Sequence, residues 1–120
     1  MNAIDLANAD DEPSARAIAA GLSRRSADTP AFWIHVSGSL ILGWETIEKN
    51  CYGERTSQVY NDWDGVGELI SLPDSAAHRN VDKIVLAAST ADPGRINTAI
   101  VCPPIIYGTV SREDACCVQL

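Results

Sequence analysis

The apolar positions change their spacing along the chain, and each change marks an element. The longest apolar stretch lies in residues 31–43, Ala-Phe-Trp-Ile-His-Val-Ser-Gly-Ser-Leu-Ile-Leu-Gly, where a nearly continuous run gives way to small hydroxyl and glycine residues. A strand covered on both faces shows little alternation, as in parallel sheets packed between helices. Such sheets take their ligands beyond the carboxyl ends of the strands. The run therefore predicts a buried strand that ends either at a site, with Ser37 and Ser39 on its rim, or in an ordinary Ser-Gly turn.

Two stretches have the helical period. Ala15, Ile18, Ala19 and Leu22 fall at i, i+3, i+4 and i+7 and predict a helix over 12–25. Asp10 or Asp11 is placed to cap it, Pro13 is tolerated in its first turn, and Arg24 and Arg25 suit the negative end of its dipole. Val81, Ile84, Val85 and Ala88 repeat the spacing and predict a second amphipathic helix over 78–89, with Lys83 near the edge of the apolar stripe. Asp92-Pro93-Gly94 marks a turn, and 98–102 reads as a short buried strand closed by Pro103-Pro104. Residues 3–7 form either the last turn of a loop or the tail of another strand. Between 44 and 73 the pattern is irregular and predicts a long loop with a short helix over 65–72. Its aromatics, Trp44, Tyr52, Tyr60 and Trp63, either anchor that loop or line a substrate pocket, anchoring being the commoner role. Helix, strand, loop, helix, strand is the order of an α/β layer with parallel strands and right-handed crossovers.

Composition narrows the partners. A chain of 120 residues that is 46% hydrophobic makes one small domain with a core, and a formal net charge of -7 leaves no basic field for nucleic acid or anionic lipid. The first twelve residues carry acid where a secretory signal carries base, and no run reaches membrane length, so a cytoplasmic location is expected. Cys51, Cys102, Cys116 and Cys117 contain no Cys-x-x-Cys pair, and His35 and His78 lack zinc-motif spacing. Free thiols and no metal are expected. Gly65-Val66-Gly67 imitates the start of a dinucleotide fingerprint, but it lacks the third small residue and a strand before it. Cys117-Val118-Gln119-Leu120 has the form of a prenylation box, yet Gln119 is not aliphatic and no polybasic stretch precedes it, so lipidation is not expected.

Ile100-Val101-Cys102-Pro103-Pro104-Ile105-Ile106-Tyr107-Gly108 resembles the strand-and-turn element of the extended short-chain dehydrogenase/reductases, the NAD-dependent epimerase/dehydratase group. The likeness extends to His35-Val36-Ser37-Gly38-Ser39, similar to the Ser/Thr cluster that ends the family's central strand. It extends also to residues 78–86, which look like the helix carrying the family lysine. An atypical fungal branch of NAD(P)-binding proteins resembles the chain most, over residues 3–108. The resemblance implies a partial Rossmann-like, doubly wound parallel sheet over 1–110, with 111–120 as an irregular tail. It implies NAD or NADP as cofactor and a small-molecule substrate. A catalytic hydroxyl comes from Ser37 or Ser39, Lys83 lies against the nicotinamide ribose, and Pro104 and Tyr107 lie beside the nicotinamide.

The chain departs from the family in two places. Where the usual motif has tyrosine, four residues before Lys83, stands Arg79. The family's opening strand and Gly-rich turn, whose helix N-terminus binds pyrophosphate, have no counterpart in these residues. Leu6-Ala7-Asn8-Ala9-Asp10 instead resembles the small-residue segment that passes the cofactor after the fourth strand. The expectation is a shortened oxidoreductase or epimerase homologue comprising the C-terminal half of the cofactor domain, possessing the nicotinamide-side contacts alone. The alternative expectation is a non-catalytic module whose exposed half sheet binds a partner or another copy of itself.

Overall fold

The computed structural model describes residues 2–25 and 29–105. Three parallel strands, β1 (Asn2–Asp5), β2 (Ala31–Val36) and β3 (Ile96–Val101), form one sheet in the order β1-β2-β3. Helix α1 (Glu12–Ser23) connects the first two strands. A 3₁₀ turn (Ser39–Gly43), α2 (Trp44–Lys49), α3 (Val66–Ile70) and α4 (Arg79–Ala91) lie between the second and third. This is the expected α/β class, with residues 3–7 resolved in favour of a strand. The arrangement is consistent with a partial Rossmann-like fold.

Asp11 caps α1, its carboxylate accepting from the Ser14 backbone N–H and hydroxyl. The helix stops two residues before the expected end, so Arg24 and Arg25 lie beyond its last turn. Arg95, at the foot of β3, supplies the positive charge there, donating to the carbonyl oxygens of Ser23 and Arg25. Gly94 has φ +78°, the left-handed turn expected of Asp-Pro-Gly.

Helices α1 and α4 cover one face of the sheet, burying Ala15 and Leu22, Val81 and Val85 against Ala31, Trp33 and Ile96. Both predicted apolar stripes meet there. The strand register puts Ala3 and Thr98 beside Trp33, and Asp5 and Ile100 beside His35, all on the covered face. The other face corrects the reading of β2 as covered on both sides. Phe32 and Ile34 point outward at 51% and 39% exposure, Phe32 between Asn2 and Asn97 and Ile34 between Ile4 and Ala99. Apolar residues at adjacent positions along β2 thus conceal an ordinary period of two.

The region from 44 to 73 read as a long loop also needs correction, because it opens with α2, directly after the 3₁₀ turn. No side-chain cap precedes either, so the starting signal sought in the sequence is missing. Trp44 and Tyr60 do anchor the segment. The indole donates to the Tyr60 hydroxyl at 2.9 Å, and both rings pack on Ile41, Leu72 and Ala76. Tyr52 and Trp63 do not share that role, being 64% and 87% exposed. Among the described residues no helix is long and apolar enough to cross a membrane.

Candidate functional site

Polar groups converge where β2 and β3 end and α4 begins. Backbone pairing continues past the strands, with Ser37 N–H donating to Val101 C=O at 2.9 Å and Ser39 N–H to Pro103 C=O at 3.3 Å. This places Ser37, Ser39, Cys102 and Pro104 at the carboxyl edge of the sheet, the expected end for ligands in such folds. Ser37 is buried, whereas Ser39 starts the 3₁₀ turn and is partly exposed.

The Ser37 hydroxyl donates to Asp82 Oδ2 at 3.1 Å. Asp82 Oδ1 faces His35 Nε2 at 3.8 Å, and His35 Nδ1 meets Asp5 Oδ2 at 2.9 Å. A carboxylate only accepts, so the proton of that second contact is assigned to Nδ1. Asp5, His35, Asp82 and Ser37 thus form one buried polar chain from the edge strand to the first turns of α4. Burial pushes the Asp82 carboxyl above the usual carboxylate range, against the lowering effects of Ser37, His35, His78 and Arg79. Burial likewise raises the Cys102 thiol, reinforced by the Asp82 charge and opposed by Ser37. A thiol held protonated in this way is a poor nucleophile.

The expected site residues divide. Ser37, Ser39, Pro104 and Lys83 share one end of the sheet, and Arg79 lies one helical turn from Lys83. Lys83 nevertheless does not meet Ser37. Its ammonium donates to both oxygens of Asp74 at 2.9 Å, and its side chain is half exposed along a groove between α1 and α4. That pairing holds the exposed Asp74 carboxyl below its ordinary range. Asp82 occupies the position facing Ser37 instead. Tyr107 lies outside the described residues.

His78 complicates access. Its backbone is left-handed, with φ 62°, and its ring Nδ1 contacts Asp10 Oδ1 at 2.8 Å. The other ring edge lies so close to Gly38 that a Cβ there would stand 2.7 Å from Nε2. The imidazole thereby bridges the β1–α1 connection and the end of β2. A side chain at 38 would have to displace the His78 ring.

Asp5, His35 and Asp82 were not among the expected site residues. Two signals point to them. His35 interrupts an apolar run and so needs a buried polar partner, and Asp82 stands three residues before Val85, on the flank of the buried stripe of α4.

No protein-family model matches the chain, and no solved structure matches it. It is 34% identical over 104 residues to a protein named Oxidase ucsJ from Acremonium sp, a stretch covering 87% of this chain and 30% of that relative. The chain therefore spans less than a third of the length of the curated relative it matches.

Proposed function

We propose that the chain is the nicotinamide-side portion of an NAD(P)-dependent oxidoreductase or epimerase of the short-chain dehydrogenase/reductase superfamily, acting on a small molecule of secondary metabolism. The observation that carries this reading is the Ser37 hydroxyl, set at the carboxyl end of the central parallel strand and hydrogen-bonded to the helix that bears Lys83. The motif resemblance and the similarity to a fungal oxidase support it.

The nicotinamide half of a dinucleotide is the group these residues would take, with the Ser37 hydroxyl at the strand end and Asp82 beside it. Ser37 or Ser39 and Pro104 would hold the ring at the strand ends, and Lys83 would reach the ribose after leaving Asp74. When bound, the cofactor supplies hydride transfer to or from a carbinol or carbonyl carbon. This chain's own side chains orient the reacting oxygen and hold its proton at the Ser37 hydroxyl, with Asp82 as that hydroxyl's acceptor. No Gly-rich turn follows β1, and His78 covers the approach to Gly38. Isothermal titration of the 120-residue chain with NADH and NADPH should therefore give weak binding, weaker still in Ser37→Ala and tighter in His78→Gly. A low-micromolar dissociation constant for the unsubstituted chain, or indifference to both substitutions, would contradict the assignment.

The open sheet face favours a second reading, a module that docks on a partner or on itself. Ile4, Phe32, Ile34 and Val101 are exposed on that face, Ile4 beside Ile34 in the register, and exposed apolar side chains of this kind drive association. Sedimentation equilibrium should show concentration-dependent association that Phe32→Asp abolishes without unfolding the chain. A monomer at every concentration would exclude docking of the chain on itself.

A further inference from the structure

The buried polar chain beneath Ser37 is one proton short. It makes two contacts through a single imidazole, His35 Nδ1 with Asp5 Oδ2 at 2.9 Å and His35 Nε2 with Asp82 Oδ1 at 3.8 Å. Each contact needs its own proton, because a carboxylate only accepts, and a neutral imidazole carries one. With that proton in the shorter contact, Nε2 and Oδ1 are both acceptors, and neither has a hydrogen-bond partner among the described residues. The two side chains are only 1% and 4% exposed, so solvent does not make up the deficit. The neighbouring elements bring His78 and Arg79 at the start of α4, Cys102 after β3 and Asp62 across an adjoining cavity, and none of them donates to Oδ1.

A proton placed between Nε2 and Oδ1 would satisfy both atoms at once. We propose that His35 and Asp82 take up and share one proton there, and that through it His35 is a positioning residue for the Ser37 hydroxyl. Uptake closes the 3.8 Å gap to hydrogen-bond length and removes one negative charge from the cluster of Asp5, His35 and Asp82. Ser37 feels the change because its hydroxyl donates to the other oxygen of the same carboxylate, Oδ2, at 3.1 Å. A hydrogen bond to an ionised acceptor is roughly twice as strong as one between neutral groups. Without the proton, Asp82 holds the hydroxyl. With it, the hydroxyl is freer to donate to a ligand at the strand end. Burial of the Asp82 carboxyl acts in the same sense, favouring the protonated form. The inference rests on the oxidoreductase reading only in calling Ser37 the group that meets the reacting oxygen.

The test uses the full isotope-labelled chain without dinucleotide, followed by NMR from about pH 8 down to about pH 3.5, a span that includes the ordinary imidazole and carboxylate ranges. The His35 ring nitrogens and the Asp82 carboxyl carbon should shift in one step with a common midpoint, and the Ser37 Cβ should follow it. In Asp82→Asn, whose amide supplies a donor to Nε2 without titrating, the His35 nitrogens should lose that step and Ser37 should stop responding to pH. Separate midpoints for His35 and Asp82, a Ser37 carbon that stays still while they move, no step at either group, or a His35 step that survives in Asp82→Asn overturns the proposal. The wild-type titration alone decides if Asp82→Asn fails to fold. A shared step in a chain that ignores nicotinamide overturns the oxidoreductase reading and leaves the proton site standing, so the two failures are distinguishable.

Discussion

Trp33→Ala should abolish cooperative folding. Trp33 is fully buried at the centre of the covered sheet face, between Ala3 and Thr98 on the neighbouring strands and beneath α1 and α4. Truncating a buried tryptophan costs about 3–5 kcal/mol in lost transfer energy and residual cavity. A small domain has only about 5–15 kcal/mol of stability in total. This sheet leaves one apolar face in water, which puts the domain near the bottom of that range. Urea titration followed by near-ultraviolet circular dichroism should show a sharp transition for the wild type and a broad, non-cooperative one for Trp33→Ala. A variant retaining a cooperative transition within about 1 kcal/mol of wild type would show that the core lies elsewhere. Trp33→Phe should be far milder, because it removes an indole N–H that has no acceptor among the described residues.

Asp82→Asn should raise the melting temperature at neutral pH. Asp82 Oδ1 and His35 Nε2 face each other without a hydrogen bond. With the His35 proton on Nδ1, both atoms are acceptors. An asparagine amide would donate to Nε2 while its oxygen accepts from Ser37, satisfying both groups in the same space. The pH dependence follows from burial, which raises the folded-state pKa of Asp82 above its unfolded value. Below the ordinary carboxylate range both states are protonated and the buried charge imposes no penalty. As pH rises from that value through the folded pKa, the wild type loses stability, and the loss is complete above it. The groups facing Asp82 are Ser37, His35 with Asp5 behind it, His78, Arg79 and Cys102. The advantage of Asp82→Asn should therefore be largest at neutral pH and vanish in acid. A lower melting temperature for the variant at neutral pH would mean that an ionised Asp82 paired with a His35 imidazolium stabilises the fold.

The legible parts of this chain were those in which one face of an element is apolar and the other polar. The Ala15–Leu22 and Val81–Ala88 stripes specified both main helices, and Asp11 and Gly94 specified a start and a turn through their own side-chain and backbone chemistry. The open face of β2 was hidden because Phe32 and Ile34 are as apolar as Trp33. Apolarity alone does not separate a surface that meets a helix from one that meets nothing within the chain. Helix α2 was hidden because Gly43, which precedes it, offers no side-chain acceptor. The site was half legible. Ser37 was found from the change of residue type at a strand end, a local signal. The contact between Ser37 and Asp82 spans 45 positions, and the one between His35 and Asp5 spans 30, so both depend on strand register and helix docking. Lys83 lies in the second turn of α4 and pairs with Asp74, while the neighbouring Asp82 faces Ser37. That difference of one residue is set by the rotation of α4 about its axis.

The central claim is that this chain provides the nicotinamide side of a dinucleotide site and not the adenine side. The most direct measurement is a two-dimensional amide NMR titration of the labelled chain with reduced nicotinamide mononucleotide and, separately, with AMP. Saturable shifts at Ser37, Gly38, Ser39 and Cys102 with the nicotinamide compound, and none with AMP, are the predicted result. Silence toward the nicotinamide compound, or the same amides moving with AMP, would contradict it.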